Sequence, residues 1–140
     1  MRRILIPVLL LAACAQLPPS AEDIQAKKFE AVPGKSVIYV ARQAVDSDAG
    51  RSLLLDERAS ITTFRGTYYR WEVEPGTHRI TGFGAGGSEN VTLSTAPGKI
   101  YFLQHTVMTH LSNSSPILST LREVDDQTGR NLVSRATLLK

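Results

Sequence analysis

After residue 28 the chain is a series of short apolar or alternating runs separated by clusters of Gly, Pro, Asn and Asp. Runs of this length are shorter than most helices and are typical of strands. Repeated turn signals between them are characteristic of a sandwich or barrel. The sequence therefore predicts a mainly β fold, with a single antiparallel β-sandwich domain over residues 28–140.

Two runs, 36–41 and 99–103, are apolar on both faces, which predicts interior strands. Further strands are predicted at 53–55, 61–64, 67–73, 77–83, 90–95 and 117–124. Asp125 and Asp126 favour the start of a short C-terminal helix, although Gly129 weakens the helical pattern.

The segment 67–73 alternates, which predicts a strand with one buried and one exposed face. One face carries Tyr69, Trp71 and Val73, which we expect in the core. The other face carries Tyr68, Arg70 and Glu72. Tyrosine and arginine are enriched in binding hot spots, so this face is a candidate binding surface for sugar or peptide. An exposed strand face without a ligand has the same pattern.

Three Pro-Gly pairs, at 33–34, 75–76 and 97–98, each stand directly before a predicted strand. Proline presets the first central position of a type II turn, and glycine supplies the positive φ of the second. Their unequal spacing indicates repeated turns within one domain and not a repeat architecture.

The first thirteen residues have the organisation of a secretory signal peptide. Arg2 and Arg3 precede an apolar run over 4–13, interrupted only by Pro7. A membrane-spanning helix needs about 20 apolar residues, so this run is too short to span. A basic start, an apolar centre and small residues at its end predict cleavage after Ala13 and export.

The lone cysteine, Cys14, gives the signal peptide a more specific character. Residues 11–14, Leu-Ala-Ala-Cys, resemble the lipobox of bacterial lipoproteins. That resemblance implies lipidation of Cys14, with a palmitate-type acyl anchor, and residues 14–27 as a tether. Ala15 stands where lipoproteins retained in the inner membrane often carry Asp, which favours an outer-membrane anchor facing the periplasm.

The positive charge of the chain depends partly on the predicted signal peptide. The full sequence has 16 Lys and Arg against 13 Asp and Glu, a formal charge of +3. Removal of Arg2 and Arg3 leaves 14 basic against 13 acidic residues. The mature domain is thus nearly neutral on its side chains, and we expect no nucleic-acid partner.

Beyond the lipobox, three segments carry a resemblance: P-G-K before I-Y-V at 33–40, V-E-P-G-T-H-R-I at 73–80, and A-P-G-K-I-Y-F-L at 96–103. Together they resemble a group of small bacterial lipoproteins of unknown function whose domain is PEGA-like or immunoglobulin-like. The resemblance covers about residues 28–125 and implies a β-sandwich. It implies no catalytic residue.

No motif points to a reaction or a cofactor. Gly82, Gly84 and Gly87 satisfy G-x-G-x-x-G, but a strand-like run follows where a dinucleotide site needs a helix. His78, His105 and His110 have no metal-ligand spacing, and we expect them on the surface or in loops. We therefore predict no metal site and no cofactor.

The serines show neither G-x-S-x-G nor S-x-x-K in the mature chain, and 112–115 is predicted to be a loop. The sequence favours a non-enzymatic binding or assembly module of the cell envelope. Its partners are expected to be the membrane through the anchor, and an envelope protein at a strand edge or peptidoglycan. A small periplasmic hydrolase and a cell-wall glycan-binding domain remain as alternatives.

Overall fold

The computed structural model describes residues 18–84, 87–109 and 117–140, and its described part is mainly β. The strands are β1 (Ser36–Ala41), β2 (Arg51–Leu55), β3 (Ala59–Thr63), β4 (Thr67–Val73), β5 (Gly76–Gly84), β6 (Gly87–Thr95), β7 (Ile100–Thr109), β8 (Ile117–Val124) and β9 (Thr137–Leu138). The helices are α1 (Ala21–Ala26) and α2 (Asp126–Ser134). Each predicted strand is present, and the short C-terminal helix is confirmed as α2.

The strands form two packed sheets, which confirms the predicted sandwich. The first sheet has the order β8-β7-β1-β4-β9, and the second has the order β3-β2-β5-β6. Most neighbours are antiparallel, but β1 pairs with β7 in parallel, and β4 pairs with β9 in parallel. The prediction of a wholly antiparallel sandwich is therefore wrong at these two pairs. β1 is buried along its whole length at the centre of its sheet, as its two apolar faces predict.

The core between the sheets is formed by the inward face of each strand. Trp71 and Val73 lie in it, with Tyr69 packed at its margin, so the inward face predicted for β4 is confirmed. The other buried members of this cluster are Ile38, Val40, Leu53, Leu55, Ile80, Leu93, Leu103 and Leu121.

A second apolar cluster lies on the opposite face of the first sheet, beneath the two helices. It is built around Tyr39 and Phe102, whose rings stack at a centroid distance of 5.3 Å. Ala26 of α1 and Val133 of α2 are buried in the same cluster. The molecule thus has a helical layer over one sheet in addition to the sandwich, because the first sheet is apolar on both faces.

The ordered domain begins before residue 28. Ser20 caps α1 by accepting a hydrogen bond from the Asp23 N–H, and the side chain of Asp23 is buried. The prediction that 14–27 is a tether is therefore wrong for 21–27, which pack on the domain. Polar composition concealed this helix, since two of the partners of its buried carboxylate, Tyr68 and Leu138, are distant in sequence.

In α2, Asp125 occupies the N-cap and accepts from the Thr128 N–H at 2.9 Å. Gly129 is buried against β7, where an added Cβ would lie 2.1 Å from Cγ of Phe102. The glycine that weakens helix propensity is required by this close approach of helix to sheet.

Two of the three Pro-Gly pairs form the predicted turns. Gly34 has φ 74° and Gly98 has φ 68°, and in each turn the next N–H bonds to the carbonyl three residues before. Gly76 instead begins β5 with φ 151°. The glycine-rich segment is a hairpin that joins β5 to β6, with Gly84 opposite Gly87 and residues 85–86 outside the description.

Among the described residues there is no helix of the length and apolarity that crossing a bilayer requires. The predicted signal peptide and Cys14 lie outside the described residues, as do His110 and the serines at 112–115. Their predicted roles stay predictions.

Candidate functional site at the open edge of strand β4

The face of β4 opposite the core carries Tyr68, Arg70 and Glu72, the candidate binding residues. The structure gives these three side chains different exposure to solvent. Tyr68 is 0% exposed, so the expectation that it lies on the surface is wrong. Arg70 is half-buried and Glu72 is exposed. The alternation was predicted correctly, but the helical layer that covers this face was not foreseen.

Tyr68 is buried because α1 lies over it. Its hydroxyl donates to the Asp23 carboxylate at 2.8 Å, and the Leu138 N–H donates to the same oxygen at 3.1 Å. Lys27 donates to the other carboxylate oxygen at 2.9 Å. Burial would raise the pKa of Asp23, but the hydrogen bonds from Lys27 and Tyr68 hold it below the ordinary value. Asp23 therefore joins α1, β4 and β9.

Arg70 is held in place by its neighbours on the same face. Its Nε donates to the Tyr39 hydroxyl at 3.2 Å, and its guanidinium lies 5.8 Å from the centre of the Tyr39 ring. Its Nη1 donates to Glu72 at 2.5 Å. Arg70 and Glu72 thus form an ordered pair of opposite charges beside the sheet edge.

The main chain of β4 has a fixed direction at each residue. The Arg42 N–H donates to the Thr67 carbonyl at 2.9 Å, so the odd-numbered residues of β4 direct their polar groups at β1. The even-numbered residues direct theirs to the other side. Accordingly, the Leu139 N–H donates to the Tyr68 carbonyl at 2.8 Å on the β9 side.

The outer side of β4 is only partly covered. β9 pairs with β4 at Thr67 and Tyr68 alone. Within the described part of the chain, residues 69–73 therefore face no strand on their outer side; we call this segment the open edge. The outward N–H and C=O groups of Arg70 and Glu72 are available there for another strand.

A groove of about 660 Å³ runs along the open edge, between β4, α1 and residues 30–32. Arg70 and Glu72 line it, with Glu22 and Glu30 on the opposite wall. Three carboxylates and one guanidinium give the groove acidic walls, and its floor includes the Tyr39 ring. The arrangement suits an extended polypeptide that pairs with the edge and presents basic or mixed charge.

A second polar cluster lies inside the sandwich at Arg42, which follows β1 and is 1% exposed. Its guanidinium donates to the carbonyls of Ala49 at 2.9 Å, Thr63 at 2.8 Å and Ser47 at 2.5 Å. Its Nε lies 3.8 Å from the Asp46 carboxylate. These bonds fix the segment between β1 and β2 against β3.

His105 lies beside this cluster and is 0% exposed, so the expectation of a surface or loop position is wrong for it. Its Nδ1 is 2.9 Å from the Thr63 hydroxyl, and its Nε2 is 2.7 Å from the Ser119 hydroxyl. The Thr63 hydroxyl donates to the Arg51 carbonyl at 3.2 Å, so it accepts from His105 Nδ1. The Nε2 atom then accepts from Ser119.

This serine–histidine contact has the geometry of a nucleophile and its base, but the electrostatics are unfavourable. Burial, with Arg42 and Arg51 nearby, lowers the pKa of His105 to about 4. A general base near neutral pH needs a pKa close to the working pH and a group that stabilises the imidazolium. The surroundings here oppose protonation, which favours a structural role for His105.

His78 is more accessible and lies at the β4–β5 end of the molecule. Its Nδ1 is 2.7 Å from the Asp56 carboxylate, and its Nε2 is 2.7 Å from the Glu74 carbonyl. Burial would lower the pKa of His78, but these two hydrogen bonds raise it above the ordinary value. In the described part of the chain no three metal-ligating side chains come together.

Sequence reasoning found the strand that carries the site but missed Asp23 of α1 and the buried cluster of Arg42 and His105. Asp23 and Arg42 gave no signal in the sequence pattern, since each also needs a partner from a strand that is remote in sequence. His105 did have one, because it shares the period-two inward face of Leu103 and Val107. No protein-family model and no curated protein matches the chain.

Proposed function

We propose that the protein is a bacterial cell-envelope lipoprotein that acts as a binding or assembly module without enzymatic activity. It is tethered through Cys14 to the outer membrane, facing the periplasm, and belongs with the small PEGA-like lipoproteins that its motifs resemble. The observation that carries the binding role is the open edge of β4 beside an acidic groove. The ligand is an extended polypeptide segment that adds as a strand.

Strand addition derives its affinity from main-chain hydrogen bonds and its selectivity from neighbouring side chains. The open edge offers both kinds of group: the outward main-chain N–H and C=O groups of Arg70 and Glu72, and the charged side chains that line the groove beside them. The short stretch from Cys14 to α1 also supports the proposal. Only residues 15–20 separate the anchor from the helix that lines the groove, so the groove would lie close to the lipid surface.

A proline at position 72 tests the open edge. The Glu72 N–H points away from β1, so Glu72→Pro removes an outward donor without breaking the β1–β4 ladder. The matched control, Glu72→Ala, removes the same side chain and keeps the N–H. In crosslinking of intact envelopes, we expect Glu72→Ala to give weaker adducts than the wild type, because the side-chain charge is lost while the main-chain bonds remain, and Glu72→Pro to lose the adducts. Equal adducts in all three would exclude strand addition here.

The anchor is tested separately. Cys14→Ser should abolish fatty-acid labelling and release the protein from the membrane fraction. Unchanged retention of that variant would contradict lipidation as the cause of membrane association.

The hydrolase alternative has one observation in its favour, the 2.7 Å contact between Ser119 and His105. The lowered pKa of His105 and its cationic neighbours count against it. For the glycan-binding alternative, the burial of Tyr68, the aromatic residue of the candidate face, is unfavourable.

A further inference from the structure

We propose that the strand added to the open edge is β4 of a second copy of this chain, giving a two-fold symmetric dimer in which Arg70 lies opposite the partner's Glu72. This proposal rests on the proposed function, because it names the occupant of the same edge. It follows from the direction of the main chain, the charges on the edge, and the extent of β9.

Only outward-pointing residues can exchange main-chain hydrogen bonds across two open edges, and in β4 these are even-numbered. A symmetric antiparallel pair has its two-fold axis at the midpoint of the pairing. For the open edge this leaves three registers, with the axis at Arg70, at Trp71 or at Glu72.

Two of these registers are unfavourable. With the axis at Arg70, like charges face each other, and Glu72 meets the partner's Tyr68, whose outward groups β9 already occupies. With the axis at Glu72, two carboxylates face each other directly. Like charges directly opposite in an antiparallel pair are destabilising.

The register with the axis at Trp71 places no like charges opposite each other and does not overlap β9. Arg70 lies opposite the partner's Glu72, and Glu72 lies opposite the partner's Arg70. Both pairs are of the hydrogen-bonded type, so each exchanges two main-chain bonds. The four side chains alternate in sign on one face, which retains the existing Arg70–Glu72 contact within each strand.

The extent of the open edge agrees with this register. The edge spans residues 69–73, bounded by β9 at one end and by the turn at Pro75 and Gly76 at the other. Its centre is Trp71, which is also the axis of the register selected by charge. A partner strand therefore ends beside Leu138, the last residue of β9.

The symmetry also suits two anchored copies. Antiparallel strands in one continuous sheet are related by a two-fold axis perpendicular to that sheet, so both copies of α1 lie on the same face. The N-cap of α1, Ser20, then lies on the same face of the dimer in both copies, as two chains anchored in one membrane require. Confinement to one surface raises the effective concentration of each copy for the other, which compensates for a short interface.

Charge reversal tests both the partner and the register. In Arg70→Glu the two cross-strand pairs become carboxylate pairs, and in Glu72→Arg they become guanidinium pairs. When the two variants are expressed together, every cross-strand pair between unlike chains is again of opposite sign. The full-length chains are crosslinked in intact envelopes with an amine-reactive reagent, and the dimer is measured by its size on a denaturing gel.

We expect a dimer for the wild type, a loss of about tenfold for each variant alone, and recovery when both are present. Recovery shows that the single variants are folded. A wild type without a dimer, single variants that still dimerise, or a mixture without recovery would each overturn the proposal. A wild type that lacks the dimer but forms other adducts, lost only in Glu72→Pro, would overturn the dimer while leaving strand addition intact.

Discussion

At the scale of single residues, the molecule depends on buried polar side chains, each with at least one partner that is remote in sequence. Asp23 satisfies Tyr68, Lys27 and the Leu138 N–H, and Arg42 holds the segment that precedes β2. A buried polar group is costly when one partner is removed, because the other loses both water and its hydrogen bond. The residues that local sequence patterns miss are thus among those on which stability depends.

Tyr68→Phe should lower the free energy of unfolding by about 1–3 kcal/mol. The substitution keeps the ring and removes a 2.8 Å bond to a buried carboxylate. Tyr101→Phe is the control, since its hydroxyl accepts a bond from the Ala96 N–H at an exposed site. In urea denaturation we expect Tyr101→Phe to stay near the wild type; equal losses in the two variants would contradict the role of Asp23.

His105 should make the protein less stable in acid. Its pKa in the fold is about 4, below the ordinary value of 6.5, so the unfolded chain binds the proton more readily. Its contribution is complete above pH 6.5 and is lost as the pH falls through 4. The total is roughly 3 kcal/mol.

The measurement is the free energy of unfolding of the wild type and of His105→Gln between pH 7.5 and 4. Glutamine retains hydrogen-bonding capacity and does not titrate, while the carboxylates titrate alike in both proteins. The wild type should lose more stability over this range. Parallel curves would show that the pKa of His105 is not lowered in the folded protein.

At the scale of elements, packing overrides propensity. Gly129 lies within α2, where alanine would be favoured by about 1 kcal/mol in an isolated helix. The helix instead approaches β7 so closely that only glycine is accommodated over Phe102. At β4 the outcome is likewise set by neighbours, since the short β9 pairs with only Thr67 and Tyr68 of the seven residues of β4.

Gly129→Ala should destabilise the protein by about 1–3 kcal/mol, although alanine has a higher helix propensity than glycine. The added Cβ would lie 2.1 Å from Cγ of Phe102, so the helix or the ring must shift. Asn131→Ala, an exposed position of the same helix, is the matched control and should leave stability unchanged or slightly raise it. Stabilisation by Gly129→Ala would contradict the close packing of α2 on β7.

At the scale of the whole molecule, the sandwich is extended by a helical layer that closes the second face of the first sheet. The chain before β1 is part of this layer through Ala26 and Asp23. Helix α1 is thus part of the folded domain and lines the groove beside the open edge.

Truncation distinguishes the two possible beginnings of the domain. A chain that starts at Pro18 keeps α1 and should match the stability of a longer one. A chain that starts at Lys28 loses the Asp23 contacts and uncovers Tyr68, so its thermal unfolding midpoint should fall by several degrees, given roughly 2–8 °C per kcal/mol in single domains. Equal midpoints would show that α1 is not part of the folded unit.

The sequence by itself determined the strand positions, the inward face of β4 and the two interior strands, because these depend on periodicity and on turn residues, which are local. Only the tertiary structure decided that Tyr68 is buried and that β4 is left open beyond it. Each of these depends on which remote segment covers a face or an edge, and neither the composition nor the period of a strand specifies that segment.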